Sequence, residues 1–422
     1  MNVWRLLGSR AANRAERAAS GWVCVMFFAC LASTFLLRPL RDQFGVDRGV
    51  DQLPYLYSLT LLATIVVVLP FWWLANRMPS RRFVPWMLHL FTGGALLLAV
   101  GLSLGGGYDW SSLPLVGEVF WGGYSALNVA VPALVWIHAV EHFGRDQARR
   151  QFGLIAVGGT AGAVCGSWGA RSLADVPVWV APVCAAILLQ LAGVAFLRSL
   201  RHGPQRQRGE ALVRNADGGV LEGLVVLFKD TRAMWIAVYM VLFGVVSTAF
   251  YTAQTELLGA VDSGRSQYVW LANKELLSQL FVLLLQLFFT GRLLSAWSSV
   301  ALLASLPAVS MLGLGVWWLA PTASAIFCVE VVRRGARFAL EKPAREALYT
   351  PFDLATKHKV KFLLDTFAYR LGDLLGALLQ VGLRAYDFGT GGVVAVTVSF
   401  ALLSIAVAAC IARSQASAPP TS

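Results

Sequence analysis

Long apolar runs alternate with short polar stretches along the whole chain. Runs of roughly 20 residues, made almost entirely of apolar side chains, recur from Gly21 to Ile411. An α-helix rises about 1.5 Å per residue, so each run is long enough to cross a hydrocarbon core of about 30 Å. The runs are continuous, whereas the strands of a membrane barrel alternate apolar and polar positions. The pattern predicts an all-α polytopic membrane protein of about twelve transmembrane helices in two six-helix halves.

The predicted spans fall into two sets of six, separated by the longest polar stretch. The first six are expected at residues 21–37, 53–75, 83–104, 117–139, 152–171 and 178–197. The second six are expected at residues 234–255, 268–290, 298–319, 323–340, 362–383 and 392–411. The expected domains are an N-terminal segment 1–20, a first half 21–197, a basic linker 198–230, a second half 231–412 and a tail 413–422.

Composition and charge agree with a membrane protein. Hydrophobic residues make up 57% of the chain and charged residues 14%, against about 45–50% and about 25% in an average soluble domain. The net charge of +12 does not indicate nucleic-acid binding, because the basic residues lie in loops between the spans. A cytoplasmic N-terminus places Arg77, Arg81, Arg82 and the whole linker on the cytoplasmic side, as the positive-inside rule requires. Both termini are then expected in the cytoplasm.

Three charged residues follow the first predicted span. In LLRPLRDQFGV, Arg38, Arg41 and Asp42 come after the predicted end at Leu37, with Pro39 interrupting the backbone. One interpretation is structural: the arginines reach the outer interface and Asp42 pairs with one of them. The other is functional: two guanidinium groups three residues apart match a phosphate or carboxylate. We favour the functional interpretation, in which Arg38 and Arg41 bind an anion and Asp42 is a coupling or gating residue.

Charged residues also lie in the seventh and eighth predicted spans. Glu256 ends the seventh span, and Lys274 precedes Glu275 among the apolar residues of the eighth. A Lys274–Glu256 ion pair would neutralise two charges that are costly in a membrane. The alternative is functional, with Lys274 in substrate binding and Glu256 in a gating pair that exchanges partners.

The tenth predicted span carries charges at helical spacing. Glu330, Arg334, Arg337 and Glu341 are four, three and four residues apart, which predicts one charged stripe along a single helix face. Lipid cannot cover such a stripe without a large free-energy cost. The stripe is therefore expected to line a cavity, to meet the other half, or to lie beyond the hydrocarbon at the cytoplasmic end. Glu330 is the candidate gating residue of this set.

The eleventh predicted span is the most heavily charged. Asp365, Arg370 and Asp373 lie within it, so we expect it to line a solute pathway. Arg370 and Asp373 are three residues apart and able to pair, whereas Asp365 and Asp373 are expected on one helix face. Three lysines lead into the span: Lys357, Lys359 and Lys361. The last of them, Lys361, is the expected phosphate contact at the cytoplasmic end.

Other patterns indicate packing rather than chemistry. Glycines at about one-turn spacing predict close helix packing: Gly158, Gly162, Gly166 and Gly169 in the fifth span, and Gly372 and Gly376 in the eleventh. His138 and His142 are four residues apart, but no third ligand accompanies them, so neither a metal nor another cofactor is expected. The chain has no nucleophile elbow and no phosphate-binding loop of the nucleotide-hydrolase type, so we do not expect an enzyme.

Several motifs together resemble the nucleotide translocase family of ATP/ADP exchangers, found in plastids and obligate intracellular bacteria. They are LLRPLRDQFGV after the first span, RDQARRQFGLIAVGGTAGA into the fifth, and KPAREALYT with KHKVKFLLDTFAYRLGDLLGALLQ in the eleventh. The resemblance implies a monomeric, major-facilitator-like transporter of a bacterial inner membrane, moving a small solute across the lipid bilayer by alternating access. It places the family's basic residue at Arg41 and the acidic residue of the seventh span at Glu256.

Two positions depart from that family. Its acidic residue before the fifth span corresponds to Gln147, and a lysine of the eleventh corresponds to Asp373. An aspartate there would repel a polyphosphate, which argues against ATP/ADP exchange itself and favours a different substrate or proton coupling through Asp373. The expected solute is an organic anion, such as a nucleotide or another phosphorylated metabolite, moved by exchange or proton coupling. Two alternatives stay open: a proton-driven exporter of an apolar or cationic compound, and a membrane partner protein or lipid-modifying enzyme.

The expected site residues form two groups. The substrate-binding residues are Arg38, Arg41, Lys274, Lys361 and Arg370. The coupling or gating residues are Asp42, Glu256, Glu330, Asp365 and Asp373.

Overall fold

The computed structural model describes residues 14–105, 107–108, 110, 112–143, 145–202, 227–261, 263–349, 360–361 and 363–416. In this part of the chain the regular secondary structure is helical throughout, which confirms the predicted all-α class. The helices in the first half of the chain are α1 (Arg14–Arg48), α2 (Val50–Arg77), α3 (Ser80–Gly105), α4 (Pro114–His142), α5 (Arg145–Ser172) and α6 (Val180–His202).

The remaining helices follow the predicted order. They are α7 (Thr231–Val261), α8 (Arg265–Ala296), α9 (Ser299–Leu319), α10 (Ala323–Ala336), α11 (Tyr369–Ala385) and α12 (Thr390–Ala416). Among the described residues, ten helices are long and apolar enough to cross a membrane. The other two, α10 and α11, coincide with the predicted spans that carry the most charge.

The first helix is longer than predicted. Helix α1 passes through Pro39 and ends at Arg48, so the predicted end at Leu37 is wrong. Proline lacks an N–H and removes one backbone hydrogen bond, but packing against neighbouring helices allows a membrane helix to tolerate that loss. The consequence is that Arg38 and Asp42 lie within the helix rather than in a loop after it.

Four helices contain a π-helical turn or lead out of or into one. The turns are Thr64–Val68 in α2, Gln286–Thr290 in α8, Arg337–Glu341 after α10 and Leu364–Ala368 before α11. A π-turn holds an extra residue compared with an α-turn, so side chains beyond it face a different direction. After the third of these turns the chain continues as a short helix, Lys342–Ala347.

The chain folds into two compact units, and neither is one continuous stretch. Unit 1 contains Met1–Phe44, Ala63–Arg214 and Gly264–Gln279. Unit 2 contains Gly45–Leu62, Asn215–Ser263 and Leu280–Ser422. The first part of α8 therefore belongs to the unit that holds most of α1 to α6, and the first part of α2 belongs to the other. The predicted linker 198–230 falls mostly on residues 203–226, outside the described residues.

In unit 1, helices α1 and α5 pack at very short range. A Cβ atom added at Gly162 would lie 2.8 Å from the Phe28 Cα atom, and one added at Gly166 would lie 2.8 Å from the Ala32 Cα atom. One turn earlier, a Cβ atom at Gly158 would lie 2.6 Å from the carbonyl oxygen of Cys24. The backbones can approach this closely only because these positions lack side chains, which confirms the predicted packing role of the glycines.

In unit 2, helices α7 and α11 pack in the same way. A Cβ atom added at Gly372 would lie 3.0 Å from the Gly244 Cα atom. At Gly376, an added Cβ atom would lie 2.9 Å from the Val245 Cα atom. The predicted GxxxG contact is confirmed. It brings the Thr248 hydroxyl within 3.2 Å of the backbone carbonyl oxygen of Asp373, to which it donates.

Candidate functional site

A cluster of five charged side chains joins α1 to the first part of α8 in unit 1; we call it the α1/α8 cluster. The Arg38 Nε atom lies 3.2 Å from Glu275 Oε2, and the Lys274 ammonium lies 3.9 Å from Asp42 Oδ2. Arg41 donates to Asp42 Oδ1 over 2.8 Å. Arg38 and Asp42 are four residues apart on one helix face, so the adjacent Lys274 and Glu275 meet them with complementary charges.

Burial makes this cluster unusual for a membrane helix. The side chains of Glu275, Lys274 and Asp42 are 1%, 3% and 6% exposed, whereas that of Arg38 is 24% exposed. Buried ions lose most of their hydration, and the loss is tolerated only when opposite charges and hydrogen bonds replace it. The cluster contains three cations and two anions, and its most accessible member is a cation. It is suited to receive an anion.

An aromatic side chain of α4, Trp121, packs against Arg41 at the basic end of the cluster. The Arg41 guanidinium carbon lies 3.3 Å from the centroid of the fully buried Trp121 ring. Phe44 packs beside the same ring, and the Tyr124 hydroxyl donates to the carbonyl oxygen of Thr34 in α1. A guanidinium stacked on an aromatic face keeps its charge while losing water. Helix α4 therefore holds Arg41 in place, a contact that the sequence did not indicate.

Glu275 has a second partner on its own helix. The Gln279 amide donates to Glu275 Oε1 over 2.8 Å, while the other carboxylate oxygen faces Arg38. Each oxygen of this buried carboxylate thus has a donor. Sequence reasoning noticed Glu275 only as the neighbour of Lys274, because the spacing within α8 does not reveal its contact with α1.

In unit 2, Arg345 joins two carboxylates across neighbouring segments. Its Nε atom donates to Glu341 over 2.9 Å and its Nη1 atom to Asp365 over 2.5 Å. Lys361 lies 2.5 Å from Glu346 in the same region. Asp365 and Lys361 therefore have structural partners here, while Lys357 and Lys359 lie outside the described residues. Arg345 was missed in the sequence, although its spacing of four from Glu341 was a usable signal.

A second buried arginine of unit 2 was also missed. Arg333 pairs with Glu330, and it donates to the hydroxyl of Ser310 in α9 over 3.1 Å and to that of Ser247 in α7 over 3.2 Å. Its guanidinium also lies over the Phe250 ring, 3.9 Å from the centroid. One cation thus connects three helices. The candidate gating residue Glu330 contacts Arg333 and belongs to this structural network.

The predicted charged stripe of the tenth span is interrupted. A regular helix would align Glu330, Arg334, Arg337 and Glu341, but the π-turn Arg337–Glu341 lies within that set. The turn changes the facing of the residues after it. Because of the turn, the single unbroken face predicted from α-helical spacing is wrong. The described contact of Glu341 is with Arg345, four residues further along the chain.

The remaining predicted residues lie in separate contacts of unit 2. Arg370 Nη1 lies 3.4 Å from Asp373 Oδ2, which confirms that these two side chains pair. Asp365 lies inside the π-turn Leu364–Ala368, which changes its facing relative to Asp373 in α11, and the described contact of Asp365 is with Arg345. Glu256 accepts from Arg384 over 2.6 Å. The proposed Lys274–Glu256 pair stays a prediction.

Two histidines of α4 form a local contact. The His138 Nε2 atom lies 2.7 Å from the Ser199 hydroxyl, and the rings of His138 and His142 are 5.1 Å apart. Across the described ranges, no group of three or more His, Cys, Asp or Glu side chains is placed to hold a metal ion. Gln147, which corresponds to an acidic position of the resembled family, lies in the first turn of α5.

Comparison with known proteins identifies the fold. No protein-family model matches the chain, and no curated protein matches it in sequence. Solved structures do match. An auto-inhibited peptide transporter of the POT family aligns over 96% of this chain and 98% of its own, with a TM-score of 0.64 and 14% identity. The chain therefore has a polytopic, major-facilitator-like fold.

Two further structures share this major facilitator fold. The nucleoside transporter NupG aligns over 96% of this chain and 99% of its own, with a TM-score of 0.60 and 14% identity. A bacterial homologue of the human lysosomal transporter Spinster, inward-facing and unoccupied, aligns over 97% of this chain and all of its own, with a TM-score of 0.59 and 12% identity. All three are transporters, and at this identity the similarity establishes the polytopic fold.

Proposed function

We propose that the chain is a secondary-active transporter of an organic anion, and that the α1/α8 cluster contains its anion-binding site. The observation that carries the proposal is the buried cluster itself. Three basic side chains converge there, and the partly exposed Arg38 is the one most accessible to a solute. An intramembrane charge is costly unless it has a function or a partner, so membrane helices retain such groups mainly along solute pathways.

The major-facilitator-like fold supports the transport part of the proposal, because the solved proteins that share it are named as a nucleoside transporter and a peptide transporter. The chemistry of the cluster supports the anion. Guanidinium groups bind carboxylates and phosphates through two parallel hydrogen bonds, and Arg38 and Arg41 supply two such groups less than one helical turn apart. Within the anions we propose a nucleotide or another phosphorylated metabolite, moved by exchange or by proton coupling.

The remaining expectations join this proposal. We propose that Lys361 and Arg370 contribute to binding. We propose that the coupling or gating residues are Asp42, Glu256, Glu330, Asp365 and Asp373. The two proposed binding residues already have protein partners, since Lys361 lies near Glu346 and Arg370 near Asp373. Each would bind the solute by exchanging its carboxylate partner for the solute anion. We further propose a monomer in a bacterial inner membrane with both termini in the cytoplasm.

The test is counterflow in proteoliposomes. The purified protein is reconstituted into vesicles preloaded with ATP, ADP or glucose 6-phosphate, and uptake of the labelled form of each is measured with and without a proton gradient. We expect saturable counterflow of at least one of them. Arg38→Gln and Arg41→Gln should each reduce kcat/KM about tenfold or more, because charged hydrogen bonds contribute about 1.5–3 kcal/mol.

A matched control separates binding from general loss of charge. Arg265 also lies in the first part of α8 and pairs with Asp175, but both side chains are more than half exposed. Arg265→Gln removes the same charge from the same segment and should leave counterflow unchanged. Absence of anion counterflow, combined with proton-driven efflux of a lipophilic cation, would contradict the anion proposal and favour the exporter.

A further inference from the structure

We infer that Glu275 is an internal counter-anion: it pairs with Arg38 when no substrate is bound and is displaced from Arg38 by the substrate anion. The inference rests on the proposed function and adds a role that the substrate-binding residues do not provide. Its starting point is the geometry of one carboxylate, which faces Arg38 over 3.2 Å and is 1% exposed.

The two partners differ in what they can exchange. Glu275 is enclosed, with its second oxygen accepting from Gln279, so it stays in a polar contact when Arg38 leaves. Arg38 is partly exposed, and its guanidinium has donors beyond the Nε atom that faces Glu275. An incoming phosphate or carboxylate therefore competes for a donor group that the protein already uses. Binding at Arg38 exchanges one anion for another.

This competition has a cost in affinity. The substrate binds only to the fraction of molecules in which Arg38 is released, so the apparent dissociation constant rises by the inverse of that fraction. Close charge pairs that are shielded from water couple strongly enough for an effect of about tenfold. Removing the carboxylate should therefore lower KM rather than raise it, which distinguishes a competitor from a residue that merely supports the site.

The same carboxylate sets the charge of the empty carrier. Removing Glu275 raises the net charge of the α1/α8 cluster by one unit, and a buried site with more unbalanced positive charge costs more free energy without an anion. The empty carrier would then change conformation slowly, whereas the anion-loaded carrier would not be affected in the same way. Glu275 thus allows the unloaded protein to return, which permits net transport as well as exchange.

The experiment compares exchange with net uptake for wild type, Glu275→Gln and Glu275→Asp. Labelled ADP, ATP and inorganic phosphate are the probes, taken up into vesicles that contain the same unlabelled anion or none. In Glu275→Gln we expect the KM for exchange to fall about tenfold, while net uptake into empty vesicles slows about tenfold relative to exchange. Glu275→Asp shortens the side chain but keeps its charge, so KM should fall while net uptake persists.

The control is Asp175→Asn, which removes one carboxylate from a pair with α8 that is mostly exposed; it should match wild type in both assays. A KM for Glu275→Gln or Glu275→Asp that is unchanged or raised overturns the inference, and so does normal net uptake by Glu275→Gln. If Glu275→Gln does not yield folded protein, the KM of Glu275→Asp decides. If the wild-type protein shows neither exchange nor net uptake of any probe, the proposed function itself is contradicted, and this measurement is made before the variants are compared.

Discussion

Replacing Gly162 by alanine tests the close contact between α1 and α5. The added Cβ atom would lie 2.8 Å from the Phe28 Cα atom, whereas carbon atoms in contact are separated by about 3.5–4.0 Å. The helices must therefore separate by roughly 1 Å along their shared face, and a gap of this size removes a quarter to a half of the dispersion energy of each affected atom pair. Overpacking of this kind costs about 1–3 kcal/mol.

The effect is measurable by thermal unfolding of the detergent-solubilised protein. A cost of about 2 kcal/mol corresponds to a fall in Tm of about 2 °C, because the entropy of unfolding is about 2.1 cal/mol/K per residue and the chain has 422 residues. Gly93→Ala is the control, because a Cβ atom there meets nothing within 4 Å. It should leave Tm unchanged or raise it, since alanine favours a helix over glycine by about 0.5–1 kcal/mol.

A second substitution sharpens the test. Gly166 packs against the Ala32 backbone one turn further along the same contact. Once Gly162→Ala has separated the helices, Gly166→Ala meets a gap that already exists. The double variant should therefore lose less stability than the sum of the losses in the two single variants. If Gly162→Ala were as stable as Gly93→Ala, or if the double variant lost the full sum, the close-packing argument would be refuted.

Other contacts give predictions of their own. Asp230 accepts from the backbone N–H groups at the start of α7; partial burial alone would raise its pKa, but hydrogen bonds from its neighbours hold the pKa below its usual value. Asp230→Ala should therefore cost about 1 kcal/mol at neutral pH. The difference from wild type should shrink as the pH falls through the lowered pKa of Asp230, which thermal unfolding near pH 7 and near pH 3 would show. Arg345→Leu leaves the buried Glu341 carboxylate without its guanidinium, so the free energy of unfolding should fall by about 3–5 kcal/mol; a loss under about 1 kcal/mol would contradict the pair. A double-mutant cycle of Trp121→Leu with Arg41→Gln should give a coupling energy of about 1–2 kcal/mol in thermal unfolding, and zero coupling would exclude a stabilising ring contact.

The fold was predictable because a lipid environment restricts which structures a long apolar segment can form. A continuous apolar run must form a helix in the membrane, where unpaired backbone groups are costly, so the number and order of helices followed from hydropathy. The end of α1 did not, because Pro39 normally breaks a helix and nothing local signals that packing preserves this one. The glycine contacts were predictable for a related reason, since small residues at one-turn spacing have few other uses in membrane helices.

The candidate site was predictable in its residues but not in its pairing. Arg38, Arg41 and Lys274 stood out because charges are rare in apolar runs. The partner of each charge depends on which helices are neighbours, and no spacing along α1 indicates that Glu275 in α8 faces Arg38. Arg333 was overlooked for a different reason: it adjoins other arginines, and only the packed helices show that its guanidinium reaches hydroxyl groups of α7 and α9.

The π-turns also affect how this chain is compared with others. A turn with one extra residue corresponds to a single-residue insertion inside a membrane helix, where alignments ordinarily allow no gap. A relative that lacks the turn Leu364–Ala368 would, in an ungapped alignment, have every later position of α11 matched one residue out of register. The correspondence of Asp373 to a lysine in the nucleotide translocases lies beyond that turn. Equivalent positions in α11 are therefore defined by superposed backbones, and an insertion of one residue can exchange which side chain occupies a given place in the membrane.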